Sequence, residues 1–572
     1  MSHDHDHKLS RRGFLGTSAI IGMQTTGMLP VAALFEAITM GFVRQAYAET
    51  LKLGDPRNYI NVMMIGAPAR YTFDHWVRPT PGEPFATNPL VATRLRETNG
   101  IYTDTDYITF NHRGVEIPHM FSQSVNTSAG ATPLTQLADN MLVIRGYGTG
   151  VDGHPANAAV QVRPIGGAPS ISGLVADHSN VPFSAVQYSN RGDFSTFVSN
   201  VGKGISLTDD GRPAHALMQG FSQPSGMNAR NLKNKYAGLL DGYRSRLGMM
   251  SSGNDKASRI LASNANNATA LMRKGLAALD GFWDPAVNRY RNIIFSALRT
   301  LNLPGISDRA IMNPNGNFDK FRTFIHFYGD GAPTTASLAN DFDVRNSITD
   351  AVVNAYAEGL AMSEFLIREK LGNVMEIRMH DLGNVRGKLM VNGTAREGMG
   401  NSAHDMHEVG AVSAVLWTTG IFRAYAAGIL ELAHQLKQVA APGGSNLWKE
   451  TVVQLSSDFG RSARSDGSGS DHGFDQMVTS VISGAIDQPM VVGNIRSDKQ
   501  AYNNPGYGGT QGYRAPIDGY NGGVAPTPVT AAATVAEVLR VEHNPYSNSA
   551  PALVKNQSGR VVYSEFGKGK NV

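Results

Sequence analysis

The stretch Thr451–Phe474 reads TVVQLSSDFGRSARSDGSGSDHGF. Its opening run, Thr451 to Leu455, is β-branched and apolar, the composition of a strand. The residues after this run are Gly- and Ser-rich and include Asp458, Arg461, Asp471 and His472, so charged and imidazole groups stand on turn-forming backbone just past a strand. Open α/β sheets gather their ligands beyond the carboxyl ends of their strands. The stretch therefore predicts an α/β protein with its site at this exit, and Asp458, Asp471 and His472 become candidate metal ligands or acid–base groups.

Far upstream, Asn58 to Ile65 (NYINVMMI) reads as a buried first strand ended by the turn Gly66-Ala67-Pro68. Further strands are expected at Met141–Ile144, Val374–Met379 and Met477–Ile482. Helical patterns fall at Leu232–Leu247, Lys256–Leu279 and Ser347–Leu371, the last with Ser347 as its N-cap. The clearest helix runs from about Gly410 to Leu436, where Val412, Leu416, Thr419, Phe422, Ala426, Ile429, Ala433 and Leu436 recur at three- and four-residue intervals. Another is expected near Val529–Leu539. Strands separated by long helices predict a doubly wound, largely parallel sheet flanked by helices. The expected organisation is a single domain over 49–572 with a mainly helical insertion about 200–345. Ala501–Pro526, rich in Gly, Asn, Pro and Tyr, reads as a surface loop, with substrate stacking by Tyr507, Tyr513 or Tyr520 as the sharper alternative.

The N-terminus carries an export address. Ser10-Arg11-Arg12-Gly13-Phe14-Leu15 is a twin-arginine pattern, and Ala46-Tyr47-Ala48 is a small-residue cleavage site, which makes 1–48 a signal peptide and the expected location periplasmic or extracellular. A retained membrane anchor is the competing reading, but Gln24, Thr25, Thr26, Pro30 and Glu36 make the apolar run too polar to span well. The chain has no cysteine, so disulfides, thiolate nucleophiles and Cys-held zinc or iron–sulfur sites are excluded, and a metal must use His nitrogen or oxygen ligands. The formal charge of +4 is small and no basic run occurs, so a nucleic-acid partner is not expected.

A second ligand-bearing connection is His404-Asp405-Met406-His407, between the Val374–Met379 strand and the long helix. With neighbouring strands, Asp405, His407, Asp458 and His472 would converge on one divalent cation, enough N and O ligands for a hydrolytic metal site with an open position. The bland alternative for each pair is a helix-cap Asp or a solvated His. Asp74-His75-Trp76 has two readings also, part of the same mouth or a structural turn with an aromatic plug. His112, His119, His178, His326 and His434 show no ligand-like spacing.

Taken together, Gly66-Ala67-Pro68 with Thr72-Phe73-Asp74, the Asp405-Met406-His407 triplet, Asp458-Phe459-Gly460-Arg461 and Ser470-Asp471-His472 resemble the bacterial domain of unknown function 1501 family, within the alkaline phosphatase/sulfatase-like superfamily. The resemblance implies an alkaline phosphatase-like fold, with Asp405 and His407 as a ligand pair, Asp458 as the Asp of a later Asp-His dipeptide and His472 as the last His. Three departures stand out. Gly66 replaces the first-strand Asp, Phe459 replaces the dipeptide's His, and Asp152-Gly153-His154-Pro155-Ala156-Asn157 holds no Ser, Thr or Cys where the nucleophile belongs. What remains is room for one metal, with His154 as base or nucleophile and Arg461 as oxyanion clamp. The expected function is hydrolysis of phosphate or sulfate esters of small molecules or glycans. The alternative is a catalytically degenerate binding or interaction protein on the same fold.

Overall fold

The computed structural model describes residues 56–74, 76, 93–98, 101–179, 181, 185–189, 197–200, 204–208, 281–298, 350–379, 388–391, 394–397, 404, 405, 411–441, 445–463, 470–473, 475–496 and 513–572. The export segment, the patterns at 232–247 and 256–279, most of the 200–345 insertion, Ser347, His75, His326, His407 and Tyr507 lie outside the described residues.

Eight strands, β1 (Asn58–Met64), β2 (Met141–Tyr147), β3 (Ala185–Ser189), β4 (Gly204–Thr208), β5 (Val374–Met379), β6 (Thr451–Ser457), β7 (Met477–Ser483) and β8 (Met490–Val492), form one sheet in the order β4-β3-β5-β1-β6-β7-β2-β8. Only β7 runs against its two neighbours in this sheet, and every other pair is parallel. Strands β2, β6 and β7 are buried along their whole length. A strand covered on both faces needs a nearly continuous apolar run, which is why these segments stand out in the sequence. Where β6 breaks that run with Gln454, the side chain is satisfied: it accepts from Tyr59 Oη at 2.5 Å and donates to Thr479 Oγ1 at 3.0 Å.

Helices cover both faces. Ile60, Val62 and Met64 of β1 join a cluster with residues of α3 (281–298), α4 (Asp350–Arg368) and α5 (Ala411–Lys437). Tyr59 joins the opposite cluster with α2 (Ile171–Asp177) and α6 (Pro528–Val538). Met63 and Ile65 pack with Ala158 and Val162 of α1 (His154–Val162). The observed class is thus mixed α/β with a mostly parallel central sheet. Helix α5 is buried on every side from 418 to 433, so its apolar period marks a central helix and not a surface one. Its approach to α4 depends on Gly428, where a Cβ would stand 2.6 Å from Leu360 Cδ1 and 2.8 Å from Tyr356 Cε1.

Two segments read as loops are in part regular. After β6, Gly460–Ala463 pairs antiparallel with Ser470–Gly473. The hairpin is set by close backbone contact: a Cβ on Gly460 would meet Gln476 O at 2.5 Å and Gly473 O at 2.8 Å. In the 501–526 segment, Tyr513–Ala515 pairs with Asn494–Arg496, and Tyr520 is buried, its hydroxyl lying 2.8 Å from Thr530 Oγ1 and 3.1 Å from Pro551 O. Tyr520 is therefore a core residue and has no face for substrate stacking. In the described part of this segment, the buried Tyr520 ring packs into the core despite the loose Gly and Pro composition. Among the described residues no helix is long and apolar enough to cross a membrane.

Candidate active site

Strands β5, β1 and β6 run side by side, with Met64 between Met379 and Ser457. The chain therefore leaves β1 and β6 at the same edge, and the residues just beyond them meet. After β1 the backbone turns through Gly66 at φ 98° and Ala67 at φ 54°, both in the left-handed region that a non-glycine residue such as Ala67 adopts at a cost. The turn directs Gly66 N–H at Asp458, donating to both carboxylate oxygens at 3.1 Å. Its carbonyls face the other way: Arg461 Nε donates to Ala67 O at 2.6 Å and Nη2 donates to Gly66 O. Arg461 Nη2 also pairs with Asp405 Oδ1 at 2.8 Å, and Tyr71 Oη donates to the Arg461 carbonyl at 2.6 Å. One strained turn is thus held by a carboxylate at its N–H and a guanidinium at its carbonyls.

Helix α1 brings the third element. Gly153 caps it at φ 104°, a conformation glycine tolerates, and His154 is its first residue. His154 Nδ1 lies 2.6 Å from Asp458 Oδ2. Asp458 is fully buried, whereas the His154 side chain keeps 27% of its surface exposed, so the pair reaches from the interior to the surface. Burial alone would depress the imidazole's proton affinity. The hydrogen bond and charge of Asp458, aided by Asp405 and opposed by Arg461, outweigh it and raise the His154 pKa above its ordinary 6.5. With Nδ1–H donated to Asp458, Nε2 is the ring nitrogen left to accept a proton.

A second imidazole–carboxylate pair stands beside the first. His472 Nδ1 is 2.8 Å from Asp152 Oδ1, and that bond holds the Asp152 carboxyl below the usual range. The His472 ring stacks on Phe459 with centroids 4.0 Å apart and planes 6° from parallel. Both rings meet His154 edge-on, His472 at 4.7 Å and Phe459 at 5.0 Å. In the hairpin, His472 is the register partner of Arg461, which explains how one supersecondary unit delivers both.

The structure thus brings His154, Asp458, Arg461, Asp405 and His472 into one neighbourhood; His407 lies outside the described residues. The described members are engaged pairwise: Asp405 with Arg461, Asp458 with Gly66 and His154, His472 with Asp152. Among the described residues no three His, Asp or Glu side chains form a metal shell. As they stand these donors do not fit a cation, because the carboxylates already face N–H groups and a guanidinium sits among them. Two buried polar groups are left over. Arg461 Nη1 and both amide atoms of Asn157, one turn along α1 from His154, have no hydrogen-bond partner. Unpartnered guanidinium nitrogens also occur at Arg57, Arg70 and Arg540, so the one on Arg461 does not by itself mark an anion site.

Asp74 and Trp76 take the structural role. Asp74 is fully buried, accepts from Arg70 Nε at 2.8 Å and from Ser480, and Trp76 Nε1 donates to Phe73 O at 2.9 Å. His404 is buried with Nδ1 3.2 Å from Ile65 O, so it ties its connection to the end of β1. His112 pairs with Asp139, and His178 and His434 bond to neighbours on their own helical turns. Residue types alone do not single out Asp152 or the Gly66 N–H. The one visible signal of Asp152 is its place two positions before His154.

No protein-family model matches this chain, and no curated protein sequence matches it. The family resemblance accordingly rests on the motifs and their order alone.

Proposed function

We propose that this chain is an exported ester hydrolase of the alkaline phosphatase/sulfatase-like kind, acting on phosphate or sulfate esters through a His154–Asp458 pair. The observation that carries the reading is the 2.6 Å contact between the His154 imidazole and the buried Asp458, at the carboxyl edge of parallel strands and at the first residue of a helix. A tetrahedral oxyanion beside His154 would find the N-terminal end of α1, which favours negative charge. Asp458 orients His154 and fixes its tautomer, leaving Nε2 as base or nucleophile. The test is a screen of 4-nitrophenyl phosphate, phosphodiester and sulfate esters with the exported protein and its His154→Gln variant. Turnover by the wild type that the variant lacks supports the reading; equal activity of the two would sink it.

A second reading, a binding or interaction protein that no longer turns over, is favoured by one observation. Asp405 already neutralises Arg461 at 2.8 Å, so an incoming anion must compete with it. Phosphate or sulfate binding measured by calorimetry, with no hydrolysis of any ester in the screen, would select this reading over the first.

A further inference from the structure

We infer that His472, held by Asp152, is a second catalytic imidazole of this site and carries the leaving-group proton while His154 carries the phosphoryl or sulfuryl group. The inference rests on the hydrolase reading above and assigns it a division of labour. It stands on geometry. Two imidazoles each bear a carboxylate on Nδ1, at 2.6 Å and 2.8 Å, and their rings meet at 4.7 Å and 83°. Phe459, stacked flat on His472 and edge-on to His154, fixes both ring planes. His472 is mostly covered and its Asp152 partner is 71% exposed, the reverse of the fully buried Asp458 behind His154. One pair is thus anchored in the interior, the other open to bulk proton exchange.

Each Nδ1 faces a carboxylate, and the reacting role is assigned to Nε2 of each ring. The His154 Nε2 lone pair forms a bond to phosphorus or sulfur as the bond to the ester oxygen breaks. That oxygen keeps the electron pair and takes a proton from His472 Nε2–H, leaving His472 neutral. In the second step His472 Nε2 takes a proton from water, whose oxygen bonds to phosphorus or sulfur. The bond to His154 Nε2 breaks and returns its electron pair to the ring. Atoms, protons and charge balance over the cycle, with water as the only co-reactant. The arrangement gives a chain without Ser, Thr or Cys at the nucleophile position a covalent route, and it favours esters of alkyl alcohols, whose poor leaving groups need the proton.

The test compares full-length wild type, His472→Gln and Asp152→Asn on paired substrates: 4-nitrophenyl phosphate and sulfate, which need no acid, and benzyl phosphate and sulfate, which do. His472→Gln is expected to lose roughly 100-fold or more in kcat on the benzyl ester while its first turnover of the 4-nitrophenyl ester stays within a few-fold. The modified enzyme should then accumulate, seen as an acid-labile mass increase on the peptide containing His154. Asp152→Asn alters an exposed side chain, keeps the fold, and should show the same leaving-group bias to a smaller degree without a matching change in KM. An equal loss on both leaving groups, or no adduct on His154 in His472→Gln, would overturn the inference and leave the hydrolase reading in place. Absence of any turnover by the wild type would overturn both.

Discussion

Replacing Asp458 with Asn probes the contact on which the site depends. Asp458 is fully buried, takes the Gly66 N–H on both oxygens and holds His154 Nδ1 at 2.6 Å. The amide has the same shape and still accepts the Gly66 N–H through its oxygen, so the turn after β1 survives. What goes is the negative charge facing the imidazole, and a hydrogen bond to a charged group contributes about 1.5–3 kcal/mol. Because Asp458 outweighs burial in the wild type, the folded protein holds the His154 proton more tightly than the unfolded chain does. The stabilisation is fully present below the unfolded value of 6.5 and is lost as pH rises through the raised folded value. At about pH 6 the Asp458→Asn protein should therefore be less stable by about 1.5–3 kcal/mol, and the gap should narrow toward higher pH. Urea unfolding at several pH values reads the gap, and an imidazole NMR titration of His154 reads its cause, with the midpoint lower in the variant. An unmoved midpoint, with stability curves that run parallel across that window, would refute the pairing.

Other perturbations test the frame around the site. Gly460→Ala places a methyl 2.5 Å from Gln476 O and 2.8 Å from Gly473 O, both backbone, and should cost about 1–3 kcal/mol by thermal unfolding. Arg289 is paired with Glu364 and lies 2.9 Å from Glu431; Glu364 keeps Arg368 Nη1 at 2.8 Å and Glu431 keeps the Ser128 N–H at 2.8 Å, so Arg289→Met should destabilise by about 1.5–3 kcal/mol in urea. Phe459→Leu keeps an apolar side chain but removes the stack on His472, with about 0.5–1.5 kcal/mol lost and a fall in kcat larger than that in stability. Dialysis against a chelator should leave turnover of 4-nitrophenyl esters unchanged, since each step assigned to His154 and His472 runs without a cation. A loss restored by a divalent ion would return Asp405, His407, Asp458 and His472 to the ligand role.

The frame was legible because burial on both faces of a sheet demands one composition. Asn58–Met64, Val374–Met379 and Thr451–Ser457 fall on or within a few residues of the strands read from apolar runs, and Ala411–Lys437 matches its helical period closely. The residue types of the site were legible too. Their partnerships were not, since His154 and Asp458 are 304 residues apart and His472 and Asp152 are 320 apart. Such pairs are decided by the strand order, β6 next to β1 and β7 next to β6, which no local pattern encodes. A chelate and a set of imidazole–carboxylate pairs also draw on the same side chains and differ only in which donors face each other. Phe459 separates the two. In the resemblance it stands where a histidine is expected; in space it is a flat apolar wall, 4.0 Å from one imidazole and 5.0 Å from the other. A ligand there would draw the histidines onto a common cation, whereas an aromatic ring holds them apart and crossed, each on its own carboxylate. The aromatic ring at 459 thus sets the crossed arrangement that the two proposed imidazole roles need.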